Sequence, residues 1–302
     1  MRASILGVAA ALLLAACGGD DGGSGGGTIR ADGSSTVGPL TTAAAERFQN
    51  ENEGVRATVG ISGTGGGFER FCRGETDLSN ASRPIDDEEK EVCAGAGIEY
   101  VELVVANDAL TVVVNPENDW TTCLTVEQLK KIWEPGSKVD NWNDVDPSFP
   151  DEKMTLFGAG TDSGTFDYFT DEINGEEGAS RSDYSATEDD NVTVRGVAGE
   201  KGGLGYFGFS YFEENQGQVK AVEIDSGDGC VAPSVETAQS GEYKPLSRPL
   251  FVYAKATSLE RQEVRDFVTY MLDNATEISE AAQFVPPTEE QLTESRSALE
   301  AT

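Results

Sequence analysis

Three times this chain passes from a short strand-like run, through a turn rich in glycine and hydroxyls, straight into an amphipathic helix. The stretches are "TIRADGSSTVGPL", "RATVGISGTGGGFERF" and "KMTLFGAGTDSGTFDYF". Strand-turn-helix order repeated in this way is the signature of an α/β protein. It also says where a ligand would sit, because in open α/β sheets the turns beyond the carboxyl ends of the strands gather around the binding crevice. A helix start carries unpaired backbone N–H groups and a partial positive charge, so serine, threonine and glycine there suit an anion. A single such turn would be an ordinary N-cap. Three of one composition imply a small, oxygen-rich anion surrounded on several sides.

The rest of the body fits the same class. Leu40, Ala44 and Phe48 line one face of a helix from Pro39 to Asn50, with Pro39 in the tolerant first turn. Phe68, Phe71 and Cys72 mark the next helix. "IEYVELVVAND" and "ALTVVVN" read as two strands flanking a crossing point. Thr125 and Gln128 form a capping box ahead of a stripe of Val126, Leu129 and Trp133, which Pro135-Gly136 terminates. "GGLGYFGFSYF" reads as a glycine-rich strand region. "PLFVYAKA" is a strand, after which Ser258 is expected to cap a long helix carrying Val264, Phe267, Val268, Met271 and Leu272 into the core.

Composition excludes more than it selects. There is no histidine, so no Ser-His-Asp or Cys-His arrangement exists and the commonest zinc ligand is missing. Thr161 stands where a G-x-S-x-G elbow requires glycine. No Gly-Lys-Ser/Thr ending completes a P-loop, and the G-x-G-x-x-G spacing from Gly63 meets Phe68. With 54 acidic against 22 basic side chains the net charge is −32, which argues against nucleic acid or an anionic lipid surface as partner. An anion must therefore be caught by short-range donors. No cofactor and no metal are implied.

The first residues, "MRASILGVAAALLLAACGG", combine one arginine with an apolar stretch too short for a resident membrane span, so residues 1–16 read as a signal peptide. Leu-Ala-Ala-Cys resembles the lipobox of bacterial lipoproteins, which makes Cys17 the expected lipidation site; residues 17–27 then form a glycine-rich tether. In an exported chain Cys72, Cys93, Cys123 and Cys230 suggest two disulfides out of three pairings. Cys72 with Cys93 brackets a local segment and Cys123 with Cys230 brackets the middle, so those pairs are favoured over zinc or free buried thiols.

The motifs "DGSSTVGPL", "GTGGGFERFCRGETDLSNASRPI" and "GTDSGTFDYF", in this order, resemble the phosphate-binding proteins of bacterial phosphate ABC transporters, the PstS-type solute-binding family. "ATEDDNVTVRGVAGEKGGLGYFGFSYF" is similar to one branch of it. The resemblance implies a two-lobe, periplasmic-binding-protein-like (type II) α/β fold. Two crossing strands would join lobe I (28–108 plus 249–302) to lobe II (109–248), with phosphate clasped in the cleft. It implies ligand roles for Ser35, Thr36 and the N–H of Val37; for Thr64 with Gly63 or Gly65, and less directly Ser62; and for Ser163, Gly164 and Thr165. Ser82 stands where many members have an aspartate that accepts the proton of hydrogen phosphate, and Ala159 where they have an arginine. Arg83 is the candidate to restore that charge, against the alternative of a surface ion pair; Asp162 and Asp189 are further candidate acceptors, otherwise a cap and a loop charge. The expected partners are inorganic phosphate, an ABC permease and the membrane through a lipid anchor, with the protein monomeric on the outer side of the cell membrane. Sulfate or another tetrahedral oxyanion is the alternative guest. A phosphoester-cleaving enzyme, or a surface sensor or adhesin, is the alternative from another class.

Overall fold

The structure is a computed structural model that describes residues 27–302; the signal peptide, Cys17 and nearly all of the tether lie outside the described residues. Its strands are β1 (Thr28–Gly33), β2 (Arg56–Val59), β3 (Leu78–Ala81), β4 (Tyr100–Val114), β5 (Cys123–Thr125), β6 (Thr155–Ala159), β7 (Ser185–Thr187), β8 (Gly203–Gly208), β9 (Lys220–Ala221), β10 (Glu223–Asp225), β11 (Cys230–Val231) and β12 (Ser247–Lys255). One sheet runs β2-β1-β3-β12-β4-β8-β6-β7, with β9 on β4. At one end β2, β1 and β3 are parallel, and at the other β8, β6 and β7 are parallel. Between them the antiparallel pairs β3–β12, β12–β4 and β4–β8 reverse the direction.

The two stretches expected to be separate strands around a crossing point are one continuous strand. Residues 100–109 of β4 pair with β12, whereas Leu110–Val114 pair with β8, so β4 itself passes from one lobe into the other. An unbroken run of buried side chains from Ala106 to Val114, apolar except for Asn107, Asp108 and Thr111, permits this, because a strand covered on both faces has no reason to alternate. β12 is its antiparallel neighbour, so the lobes are joined by two adjacent strands.

Each lobe has its own core. In the first, α1 (Gly38–Glu51) sets Leu40, Ala44 and Phe48 against the helix Gln262–Asp273, where Phe48 and Phe267 meet at 5.3 Å. In the second, Trp133, Phe169 and Tyr206 pack together. The Thr125–Gln128 capping box is formed, and the helix it starts ends at Trp133. Its buried face is Leu129, Ile132 and Trp133, with Val126 half-buried at the edge. Two expectations need correction. Ser258 does not cap the long helix, which starts at Gln262 after Arg261; its hydroxyl donates to Asp77 instead. "GGLGYFGFSYF" is strand only to Gly208 and helix from Phe209 to Glu214.

Cys72 is bonded to Cys93, joining α2 (Gly63–Cys72) to α3 (Asp87–Gly95). Cys123 is bonded to Cys230, tying the outer strands of the small sheet β11-β10-β5 across β10. Among the described residues no helix is long and apolar enough to cross a membrane.

Candidate functional site

A cleft of about 420 Å³ opens beyond the carboxyl ends of β1, β2 and β3. Its floor is built from the turns that follow those strands. After β1, the buried Ser34 turns its hydroxyl inward to accept from the N–H groups of Thr36 (3.2 Å) and Val37 (3.4 Å). This shapes the turn so that Ser35 and Thr36 face the cleft. Gly33, at φ +139°, lets the chain pass so close to Asn80 that a Cβ there would lie 2.1 Å from its carbonyl oxygen. Val37, fully buried, contributes no cleft surface, and its N–H is turned toward Ser34.

After β2, helix α2 begins at Gly63, so Thr64 and Gly65 belong to its first turn and present unpaired N–H groups along with the Thr64 hydroxyl. Ser62, at the cleft edge, donates to the buried carboxylate of Asp32 (2.7 Å), which also receives Arg70 (2.7 Å). After β3, Ser82 and Thr64 share a hydroxyl–hydroxyl bond of 3.0 Å, and the Ser82 N–H reaches Thr64 Oγ1 at 3.2 Å. Ser35, Thr36, Ser62, Gly63, Thr64, Gly65, Ser82 and Arg83 thus all line one hollow.

Arg83 lines it while committed elsewhere. Its guanidinium forks onto Glu89 with two contacts of 2.8 Å, over the ring of Phe68. Arg83 thus makes the ion pair that was the alternative to a ligand role, and the hydrogen bond to Glu89 raises its pKa. The third turn also differs from expectation. Ser163 Oγ accepts the N–H of Thr165 at 3.1 Å as an N-cap, and Ser163, Gly164 and Thr165 do not line the cleft. Gly164 instead presses on the first turn: a Cβ there would lie 2.9 Å from Thr36 Oγ1. Asp162 is exposed, and Asp189 caps the helix Asp190–Gly199 through the N–H of Asn191; neither reaches the cleft.

The positive charge comes from a residue that sequence reasoning missed. Arg248, on β12, lines the cleft, with Nη2 3.4 Å from Thr36 Oγ1 and 3.4 Å from Asp108 Oδ2. Asp108 is its register partner on β4. The guanidinium carbon lies 3.4 Å from the ring centre of Tyr168, on the helix Gly164–Phe169. Arg248 therefore touches the first lobe, the crossing strands and the second lobe at once. Burial pushes the Asp108 carboxyl up, and Arg248 pulls it down. The available signal was a charge beside the apolar run in each of two strands, "VVAND" and "SRPLFVYA".

The opposite wall is acidic. Asp167, Asp171, Glu172 and Glu177, from the segment around Tyr168, also line the cleft. Burial raises the pKa of Asp167, Glu172 and Glu177, with Arg248 opposing in each case and the Ser35 hydroxyl also opposing at Asp167. Chemically, the cleft brings hydroxyl, N–H and guanidinium donors, mostly from the first lobe and β12, together with carboxylates from the second.

Residues 19–275 match the model of a PBP superfamily domain. Protein SphX of Synechocystis is 48% identical over 266 residues, which is 87% of this chain and 79% of that protein. The phosphate-binding protein PstS of Staphylococcus saprophyticus is 40% identical over 274 residues, 90% of this chain and 84% of that one. The crystal structure of a possible phosphate binding protein from Planctomyces limnophilus superposes with a TM-score of 0.88 at 47% identity, covering 91% of this chain and 98% of the other.

Proposed function

Since this chain belongs to the PstS family of the PBP superfamily, we propose that it is an extracytoplasmic solute-binding protein that captures inorganic phosphate between its lobes and delivers it to an ABC permease. The observation that carries this reading is the convergence of Ser35, Thr36, Thr64, Ser82 and Arg248 on one cleft. Hydroxyls and helix-start N–H groups replace the anion's water without a net countercharge, and the guanidinium adds a charge-assisted bond. The lipobox-like Leu-Ala-Ala-Cys supports anchoring through Cys17 on the outer side of the membrane.

Closure is the second half of the mechanism. β4 and β12 are the only connections between the two halves of the main sheet among the described residues, so a bend there moves one lobe against the other. An anion held by Thr36 and Arg248 touches the first lobe and the hinge together, while Tyr168 lies beneath the same guanidinium from the second. Occupancy would thus favour the closed form by adding contacts that only it can make. The protein would do no bond chemistry. Calorimetric titration of the mature body with phosphate, arsenate and sulfate, together with small-angle scattering to follow closure, tests the reading. Saturable phosphate binding with a smaller radius of gyration is expected; absence of phosphate binding, or turnover of an aryl phosphate, would overturn it.

A further inference from the structure

The two walls of the cleft ask for different things from a guest. Ser35, Thr36, Thr64 and Arg248 supply donors, whereas Asp167, Asp171, Glu172 and Glu177, when ionised, can only accept. Charge is also out of balance. Arg248 acts on Asp167, Glu172 and Glu177 and is already paired with Asp108 behind it. Arg83 is taken by Glu89. No other basic residue lines the cleft among the described residues. A bare anionic oxygen fits the donor wall and is repelled by the carboxylates, but a hydroxyl on the guest would give each carboxylate a charge-assisted hydrogen bond.

Resting on the phosphate-capture reading, we propose that the cleft selects the doubly protonated monoanion, H2PO4−, with Asp167 as the specificity-determining acceptor. Its two bare oxygens meet the hydroxyl wall and its two P–O–H groups point to the carboxylate wall. Asp167 is singled out because it comes from the second lobe and already accepts from the Ser35 hydroxyl of the first, so a P–O–H group of the guest would take over that donor position. The groups facing it are Ser35 from the first turn, Arg248 from β12, and Asp171 and Glu177 from the segment that follows it; Asp108 lies behind Arg248 on β4. Only one of these is a cation, so an added dianion would be unbalanced. Burial raises the carboxyls of Asp167, Glu172 and Glu177, and Asp167 acts as acceptor only at pH values above its own titration.

The test is calorimetric titration of the mature protein with phosphate at constant ionic strength from about pH 5.5 to about pH 8.5, with sulfate as a guest that stays dianionic throughout. Above the second ionisation of phosphate, the Kd of the parent should weaken toward about tenfold per pH unit, and sulfate should not bind. Asp167→Asn should flatten that slope and admit sulfate, because an amide can donate to a bare oxygen. Glu172→Gln should act in the same direction, and thermal melts establish that each variant is folded. Phosphate affinity that is constant or tighter toward high pH, or sulfate binding by the parent, would overturn this inference and leave phosphate capture standing. Absence of phosphate binding at every pH would overturn capture itself.

Discussion

Replacing Arg248 with methionine separates what this residue does for the fold from what it does for the guest. The side chain is 17% exposed and its partner Asp108 is 7% exposed, so the substitution leaves a carboxylate buried with no countercharge. Stranding a buried partner in this way costs about 3–5 kcal/mol of stability. The guest loses a charge-assisted hydrogen bond worth about 1.5–3 kcal/mol, roughly a tenfold to 150-fold weakening. A second change, Asp108→Asn, removes the stranded charge, so the double variant should regain most of the stability and none of the affinity. The pH dependence has a definite sign. The Asp108 carboxyl is already raised by burial, and loss of Arg248 raises it further. The folded state then binds a proton more tightly than the unfolded chain, so the deficit is smallest below the unfolded pKa and grows as pH rises through the folded one. Urea titrations at several pH values and calorimetry on the parent, both single variants and the double variant provide the readout. Phosphate binding by Arg248→Met within about threefold of the parent would refute the role given to this guanidinium.

Gly164→Ala places a methyl 2.9 Å from Thr36 Oγ1 and 3.3 Å from its Cα, so closure should be obstructed; binding should weaken by about tenfold, with the scattering change on phosphate addition reduced. Arg83→Ala should change affinity by less than about threefold and cost at most about 1 kcal/mol in a melt, because the guanidinium, although it lines the cleft, is held by a partly exposed ion pair with Glu89. The disulfide spanning 107 residues, Cys123–Cys230, should stabilise by about 5 kcal/mol and Cys72–Cys93, spanning 21, by about 3 kcal/mol on chain entropy. Paired serine substitutions followed by urea titration should therefore show the larger loss for the longer loop.

The legible part of the site was local. A run such as Gly-Ser-Ser-Thr-Val-Gly-Pro declares a strand end, a turn and a helix start within a few residues, and the first two such turns line the cleft. The third shares the composition but spends its serine on its own helix and its glycine on contact with Thr36. Composition cannot distinguish a cap from a ligand donor, because both use the same oxygen and the same N–H groups. Arg83 misled for a related reason: its sequence position beside Ser82 is right for the cleft, but Glu89, one turn into α3, forms the better fork.

By itself the sequence determined the α/β alternation, the hydroxyl-rich turns at strand ends, the absence of histidine chemistry and a strongly acidic chain. These follow from propensities and charges that act over a few residues or over the whole composition. Tertiary structure alone decided that Arg248 reaches Thr36 across 212 positions, that β4 runs unbroken between lobes, and that four carboxylates line the same cleft as the donor turns. Electrostatics at a site is a sum over groups close in space, and burial multiplies it, so no local pattern could have contained it.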